Sequence, residues 1–197
     1  MNESARPVPG VGDALLVVDV QLDFLPGGSL AVADGAQVIA PLNRCITLFA
    51  ERQLPVFVTR DWHPRDHCSF RAQGGPWPAH CVADSAGAAF PEALHLPASV
   101  PVISKGTRPD VEAYSGFEGT ALQQRLGELG VKRLFVGGLA TDYCVAQTVL
   151  NARRCGFEVV VIEDAIAAVN TGAGDSERAI ERMMGQGATF VSSTQLL

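Results

Sequence analysis

The chain is 197 residues long, 47% hydrophobic and only 18% charged, a balance that suits a folded domain with a sizeable core and excludes a disordered segment. Its net charge of −6, with no basic run, excludes a nucleic-acid partner, because phosphate contacts need clustered Lys and Arg. No apolar stretch reaches the roughly 20 residues that span a bilayer, and MNESARPVPG (1–10) lacks the apolar core of a signal peptide, so a cytoplasmic protein is expected.

In chain order, a flexible tail is expected over 1–12, followed by a strand in ALLVVDV (14–20). Val38, Ile39, Leu42, Ile46 and Phe49 recur at helical spacing within 36–52, and PVFVTR (55–60) reads as a second strand. Residues 61–99 are rich in Pro, Gly and Ala, show no periodicity and contain all four histidines. A loop this long inside a domain is usually functional. VPVIS (100–104) is a third strand, 119–129 a helix and RLFVGG (133–138) a fourth strand. A helix over 142–155 stops at Gly156. EVVVIED (158–164), a helix over 175–185 with Asp175 or Ser176 as N-cap, and ATFVSS (188–193) complete the pattern.

Continuous apolar strands alternating with helices predict one domain over 1–197 of α/β class. It is an open, mostly parallel six-stranded sheet with helices on both faces. Ligands of such sheets sit beyond the carboxyl ends of the strands. Asp19 ends the first strand, Asp61 follows the second, Lys105 follows the third, and Cys144 opens the helix after the fourth. Four reactive residues thus converge on one edge.

Five cysteines without regular spacing do not form a disulfide framework, which leaves the question of which thiol reacts. In VGGLATDYCVAQTVLNA, Cys144 falls in the first turn of a helix with Thr141 or Asp142 as cap. There free N–H groups would lower its pKa and could receive an oxyanion. A core cysteine explains the segment equally well. Asp19 and Lys105 each interrupt an apolar run, a costly placement unless each is paired. With Cys144 they make a base, a cation and a nucleophile. Asp61 and His63 alternate on one side of an extended segment, His80 approaches from across the loop, and His67 is a further donor. One carboxylate with imidazoles suits a catalytic ion rather than a structural one. A closed zinc site using Cys68 and Cys81 is the rival, without C-x-x-C spacing to support it. Phe24, Trp62, Trp77, Tyr114 and Phe117 flank these motifs, as core packing or as a slot for a flat ring.

The motifs VVDVQLDFLPGGSL (17–30), TRDWHPRDHCSF (59–70), WPAHC (77–81), SKG (104–106), YSGFEGT (114–120) and GLATDYCVAQT (138–148) resemble the nicotinamidase/pyrazinamidase branch of the isochorismatase-like hydrolases. The likeness runs from about residue 14 to 165. It implies a triad of Asp19, Lys105 and nucleophilic Cys144, and one divalent metal ion (zinc, iron or manganese) on Asp61, His63 and His80. His67 matches a position that binds metal only in some members. Phe24, Trp77 and Tyr114 match ring-pocket positions. The Leu139–Ala140 peptide matches a cis bond, with the Ala140 and Cys144 amides as oxyanion hole. The activity implied is hydrolysis of nicotinamide, and analogues such as pyrazinamide, to nicotinate and ammonia through a cysteine thioester, in NAD salvage. Nicotinamide is then the small-molecule partner, and homo-oligomerisation stays open. The stretch between Lys105 and Tyr114 is longer than in some members. The alternatives are a metal-independent amidohydrolase of the same family and a non-catalytic binding module; the latter predicts a broken triad, and none of the three positions is broken.

Overall fold

Six runs rich in aliphatic residues form strands β1 (Asp13–Val18), β2 (Val56–Asp61), β3 (Val102–Lys105), β4 (Arg133–Leu139), β5 (Glu158–Ala167) and β6 (Thr189–Val191). In the computed structural model, which describes residues 7–197, they pair in the order β3-β2-β1-β4-β5-β6, every pair parallel. Of the tail expected over 1–12, residues 1–6 lie outside the described residues. The carbonyls of Val8 and Pro9 accept hydrogen bonds from Arg133 (3.3 Å) and Arg52 (2.8 Å).

Alternation along β1 sends its side chains into two separate cores. Leu15 and Val17 pack with Leu42, Ile46 and Phe49 of helix α1 (Ile39–Glu51). Leu16 and Val18 pack on the other face with Leu126 of α2 (Leu122–Glu128), Val149 of α3 (Ala146–Arg154) and Met183 of α4 (Asp175–Gly185). From Ala14 to Val18 the strand is apolar because both faces are covered. Each such side chain contributes about 1.5–3 kcal/mol of burial, so Leu16→Ala would cost about 2–5 kcal/mol.

Four helix starts differ from the sequence expectation, that of α3 lying at Ala146 rather than 142. Residues 35–38 form a 3-10 turn before α1. The Thr120 hydroxyl accepts from the Leu122 amide (3.1 Å), and α2 begins only there. Gly174, with φ +78°, is the N-cap of α4 in place of Asp175 or Ser176; the Asp175 carboxylate instead turns back to the Gly172 amide at 2.6 Å. Gly156, with φ +90°, stops α3 as expected. Gly138 cannot be replaced easily, because a Cβ there would meet the backbone of Val18 in the neighbouring strand.

Residues 61–99 follow an irregular path after Asp61, stiffened by 3-10 turns at Arg71–Gln73 and Ala86–Ala88 and by bridges His63–Val82 and Phe70–Trp77. No helix among the described residues is long and apolar enough to cross a membrane.

Candidate active site and metal centre

Strand order reverses between β1 and β4, and the crevice opened there lies at the carboxyl ends of the strands, where α/β sheets place their ligands. Asp19, one residue past β1, has φ +48°, a left-handed conformation that Asp adopts more readily than most residues. Asp61 and Lys105 are the last residues of β2 and β3 and stand in register. Cys144 arrives from β4 through the turn Thr141–Val145.

These groups form one buried cluster: Asp19 is 0%, Lys105 1% and Cys144 6% exposed. Lys105 Nζ lies 2.9 Å from Asp19 Oδ2, donates to Asp61 Oδ1 and to the Ala113 carbonyl (3.2 Å), and reaches Cys144 Sγ at 3.3 Å. Thr59 donates to Asp19 Oδ1 at 2.6 Å, while Asp19 Oδ2 has, among the described residues, no hydrogen-bond partner beyond that ion pair. This oxygen is therefore open to a thiol proton.

Burial sets the protonation states. It raises the Asp19 carboxyl above its usual range, with Lys105 opposing. Burial also works on Asp61, yet Lys105 and His63 hold that carboxyl below its usual range. Lys105 is pushed well up because Asp19 and Asp61 outweigh its desolvation. Cys144 is likewise pushed well up by burial, against the pull of Lys105. This corrects the expectation of a thiol acidified in the first turn of a helix. The five residues 141–145 form a π-helical turn that precedes α3. Asp142 caps nothing there, and its two oxygens accept from the amides of Val169 (3.0 Å) and Asn170 (2.8 Å). The Leu139–Ala140 peptide is cis, as the resemblance implied.

Beside this cluster, donor atoms of Asp61, His63 and His80 all lie within 4.8 Å of one another. His63 Nδ1 donates to the Gly106 carbonyl (2.9 Å) and His80 Nδ1 to the Pro78 carbonyl (2.8 Å). Each Nε2 therefore carries the lone pair, the tautomer a metal ligand needs. His63 Nε2 faces Asp61 Oδ2 at 3.7 Å, and that carboxylate lifts the His63 pKa against the effect of burial; a charge that attracts a proton there attracts a cation equally. Burial lowers His80, which favours its neutral, ligating form. The donor set thus fits a divalent ion of zinc type. His67 is held apart: its Nδ1 pairs with Ser69 Oγ (2.7 Å) and its Nε2 donates to the Val111 carbonyl (3.2 Å), while its ring stacks on His63 at 4.1 Å. Asp19, Asp61 and Cys144 also approach one another, but the Lys105 ammonium already sits among them and opposes a second cation. Cys81 is buried, with its thiol pushed up by burial, and neither it nor Cys68 joins a donor cluster among the described residues.

Both clusters open on one slot of about 430 Å³, its mouth included, whose lining contains Asp61, His63, His80, Ala140 and Cys144. Phe24, Trp77 and Tyr114 form its apolar sides. Trp77 Nε1 donates to the Tyr114 hydroxyl at 3.1 Å, whose pKa burial pushes up to about 12. Trp62 and Phe117 are elsewhere: Arg60 stacks over Trp62 at 3.5 Å, and Phe117 packs on Phe157.

Sequence reasoning passed over four residues. Tyr143 lines the slot and meets Trp77 edge-on at 5.0 Å; its signal was an aromatic beside Cys144. Val169 lines it too, from the loop after β5. Fully buried Gln21 accepts from the Asp61 amide (2.7 Å) and donates to the Asp61 carbonyl (2.8 Å); a polar side chain two residues beyond Asp19 could have pointed to it. Thr59, the fourth, orients Asp19.

The isochorismatase domain model matches residues 13–195. The chain is 40% identical to the nicotinamidase of Escherichia coli over 90% of this chain and 93% of the relative. Among solved structures it is similar to the pyrazinamidase of Pyrococcus horikoshii in complex with zinc, at 48% identity and TM-score 0.88, covering 92% of this chain and 99% of that one. It is also similar to PnC1 of L. infantum in complex with nicotinate, at 37% identity and TM-score 0.89, covering 96% and 97%.

Proposed function

Because the chain belongs to the isochorismatase family, we propose a specific reading of its site: the protein is a nicotinamidase that hydrolyses nicotinamide, and analogues such as pyrazinamide, to nicotinate and ammonia. NAD salvage is the usual role of that reaction. The observation that carries the reading is a sealed carboxylate–ammonium–thiol cluster opening on the same ring-lined slot as a three-donor metal site. The protein takes one divalent metal ion, zinc by the precedent of its archaeal relative, with Asp61, His63 and His80 to hold it. Bound there, the ion supplies a positive centre for the pyridine nitrogen or its water shell.

The pyridine ring lies between Phe24, Trp77 and Tyr114, which turns the carboxamide carbon toward Cys144. Asp19 Oδ2 takes the thiol proton as the sulfur attacks; burial keeps the thiol protonated until substrate arrives, so transfer and attack proceed together. The amides of Ala140 and Cys144 receive the oxyanion, and one such donor is typically worth about 2.7–4 kcal/mol. Asp19 returns the proton to the departing ammonia, leaving a thioester that water hydrolyses. Lys105 keeps Asp19 charged and in place. The acidic surface, net −6, goes with a cytoplasmic enzyme of small molecules that has no nucleic-acid partner.

Ammonia release from nicotinamide and pyrazinamide, with and without chelator, tests this reading. Cys144→Ala and Asp19→Ala should abolish release, and zinc should restore chelated enzyme. Unchanged turnover in Cys144→Ala would overturn the thioester mechanism; full activity without metal would favour a metal-independent amidohydrolase.

A further inference from the structure

A thioester route sets a problem of access. Once the C–N bond has broken, the nicotinoyl group stays on Cys144 and its ring fills the slot between Phe24, Trp77 and Tyr114. Water must then reach the thioester carbon while the substrate's own entrance is occupied.

A second cavity, of about 430 Å³ with its mouth included, adjoins that slot. Glu112 and Ala113 line both spaces, so they form the partition between them. Lys105 and Ala113 are the buried floor of the second cavity, and Thr107, Arg108 and Glu118 its exposed rim. The cavity thus runs inward from solvent to the residue that holds the nucleophile. The Ala113 carbonyl accepts from Lys105 Nζ at 3.2 Å, and Nζ stands 3.3 Å from Cys144 Sγ. One side chain separates floor from sulfur. Lys105, Thr107, Arg108, Glu112 and Glu118 stand among its lining residues beside Val111 and Ala113, and water orders in a cavity of this size where polar groups reach it.

We propose that this cavity delivers the hydrolytic water to the thioester, with the Glu112–Ala113 partition and the Lys105 side chain as its inner gate. The proposal rests on the nicotinamidase reading above. Water adds to the thioester carbon and gives a proton to Asp19; the C–S bond breaks, the sulfur regains that proton from Asp19, and nicotinic acid leaves and ionises in solvent. Substrate and water then use different doors, and the acyl ring need not move for its own hydrolysis.

Thr107 and Arg108 stand at the rim and do not line the substrate slot, which makes them places for a plug. Thr107→Trp and Arg108→Trp, with Thr107→Ser as control, are mixed with nicotinamide in a rapid-quench apparatus. Intact mass spectrometry follows the nicotinoyl adduct on Cys144. The adduct should form at the wild-type rate in every variant and decay several-fold more slowly in each Trp variant, while Thr107→Ser decays as wild type does. Wild-type decay in both plugged variants, or formation slowed in parallel with decay, overturns the proposal. If wild-type enzyme forms no adduct at all, the thioester reading itself fails. Two independent plugs keep the test valid should one variant not fold.

Discussion

Lys105 carries a full charge with 1% exposure and answers two carboxylates at once, Asp19 at 2.9 Å and Asp61. Removing one partner from such a cluster typically costs about 3–5 kcal/mol, because the remaining charges stay buried without compensation. Lys105→Met should therefore lower stability, and it should also move the pH profile. Asp19 works ionised, so kcat/KM falls as pH drops through its folded pKa, which burial holds above the ordinary 3.8. Loss of the cation favours the neutral carboxyl and shifts that acid limb to higher pH. A pH–rate profile in which the limb stays put or moves down would contradict the assignment. The Asp19 and Lys105 positions were legible because each breaks an apolar run, and Cys144 because it follows a strand and a Gly-Gly turn; the thiol's protonation state was not, since burial depends on neighbours distant in sequence.

At the scale of elements, a strap after β5 (Val169 to Thr171), which brings Val169 to the slot, is held by the nucleophile's own turn. Asp142 takes the amides of Val169 and Asn170, and Tyr143 pairs with Thr171 at 3.1 Å. Asp142→Ala should raise KM several-fold with less effect on kcat, and hydrogen exchange at Val169 and Asn170 should quicken; a fall in kcat alone would deny the strap this role. The end of β3 is as closely fitted. A Cβ at Gly106, where φ is +61°, would collide with the His63 ring. Loss of orientation around a metal ligand typically costs about 10–100-fold in affinity, so Gly106→Ala should weaken zinc binding by that order in a chelator competition. Wild-type affinity would refute the link. Neither the strap nor the π-helical turn is visible as periodicity, because both are fixed by hydrogen bonds between segments far apart in sequence. The long segment 61–99, by contrast, announced itself through its lack of pattern and its histidines.

For the whole molecule, the six-stranded sheet and its two covered faces followed from continuous apolar runs, and the edge that collects the reactive groups followed from parallel topology. What stayed hidden was which donors meet: the ring nitrogens of His67 pair with Ser69 and Val111, while Asp61, His63 and His80 bring theirs together, and no spacing rule contains that information. A ligand bound only by the folded state raises stability by about 2.7 kcal/mol at 100 times its Kd, so zinc should raise Tm and a chelator should lower it. His80→Ala should remove most of that zinc-dependent shift; an unchanged shift would place the ion elsewhere. The chain's far end contributes as well. Ser193 donates to Asp164 through its amide (2.7 Å) and hydroxyl (2.6 Å). These contacts hold the Asp164 carboxyl below its usual value, against the raising effect of burial. A carboxyl with a lowered folded pKa stabilises above its unfolded value and loses that contribution as pH falls through the folded one. Asp164→Asn should thus cost stability at neutral pH and converge on wild type in acid, as read by Tm against pH.

Asp19, Asp61, Lys105 and Cys144 stand at or just beyond the carboxyl ends of β1 to β4, and the segments after β1, β2 and β3 supply the walls Phe24, Trp77 and Tyr114. This division makes the sheet a chassis and the segments exchangeable fittings. The stretch from Gly106 to Thr120 carries Tyr114 and the partition residues Glu112 and Ala113, yet it supplies no side chain to the proposed triad or to the three-donor cluster. Selection or engineering could recast its exposed part, Thr107 to Val111, to admit a differently substituted ring, provided Gly106 and Ala113 keep their contacts with His63 and Lys105.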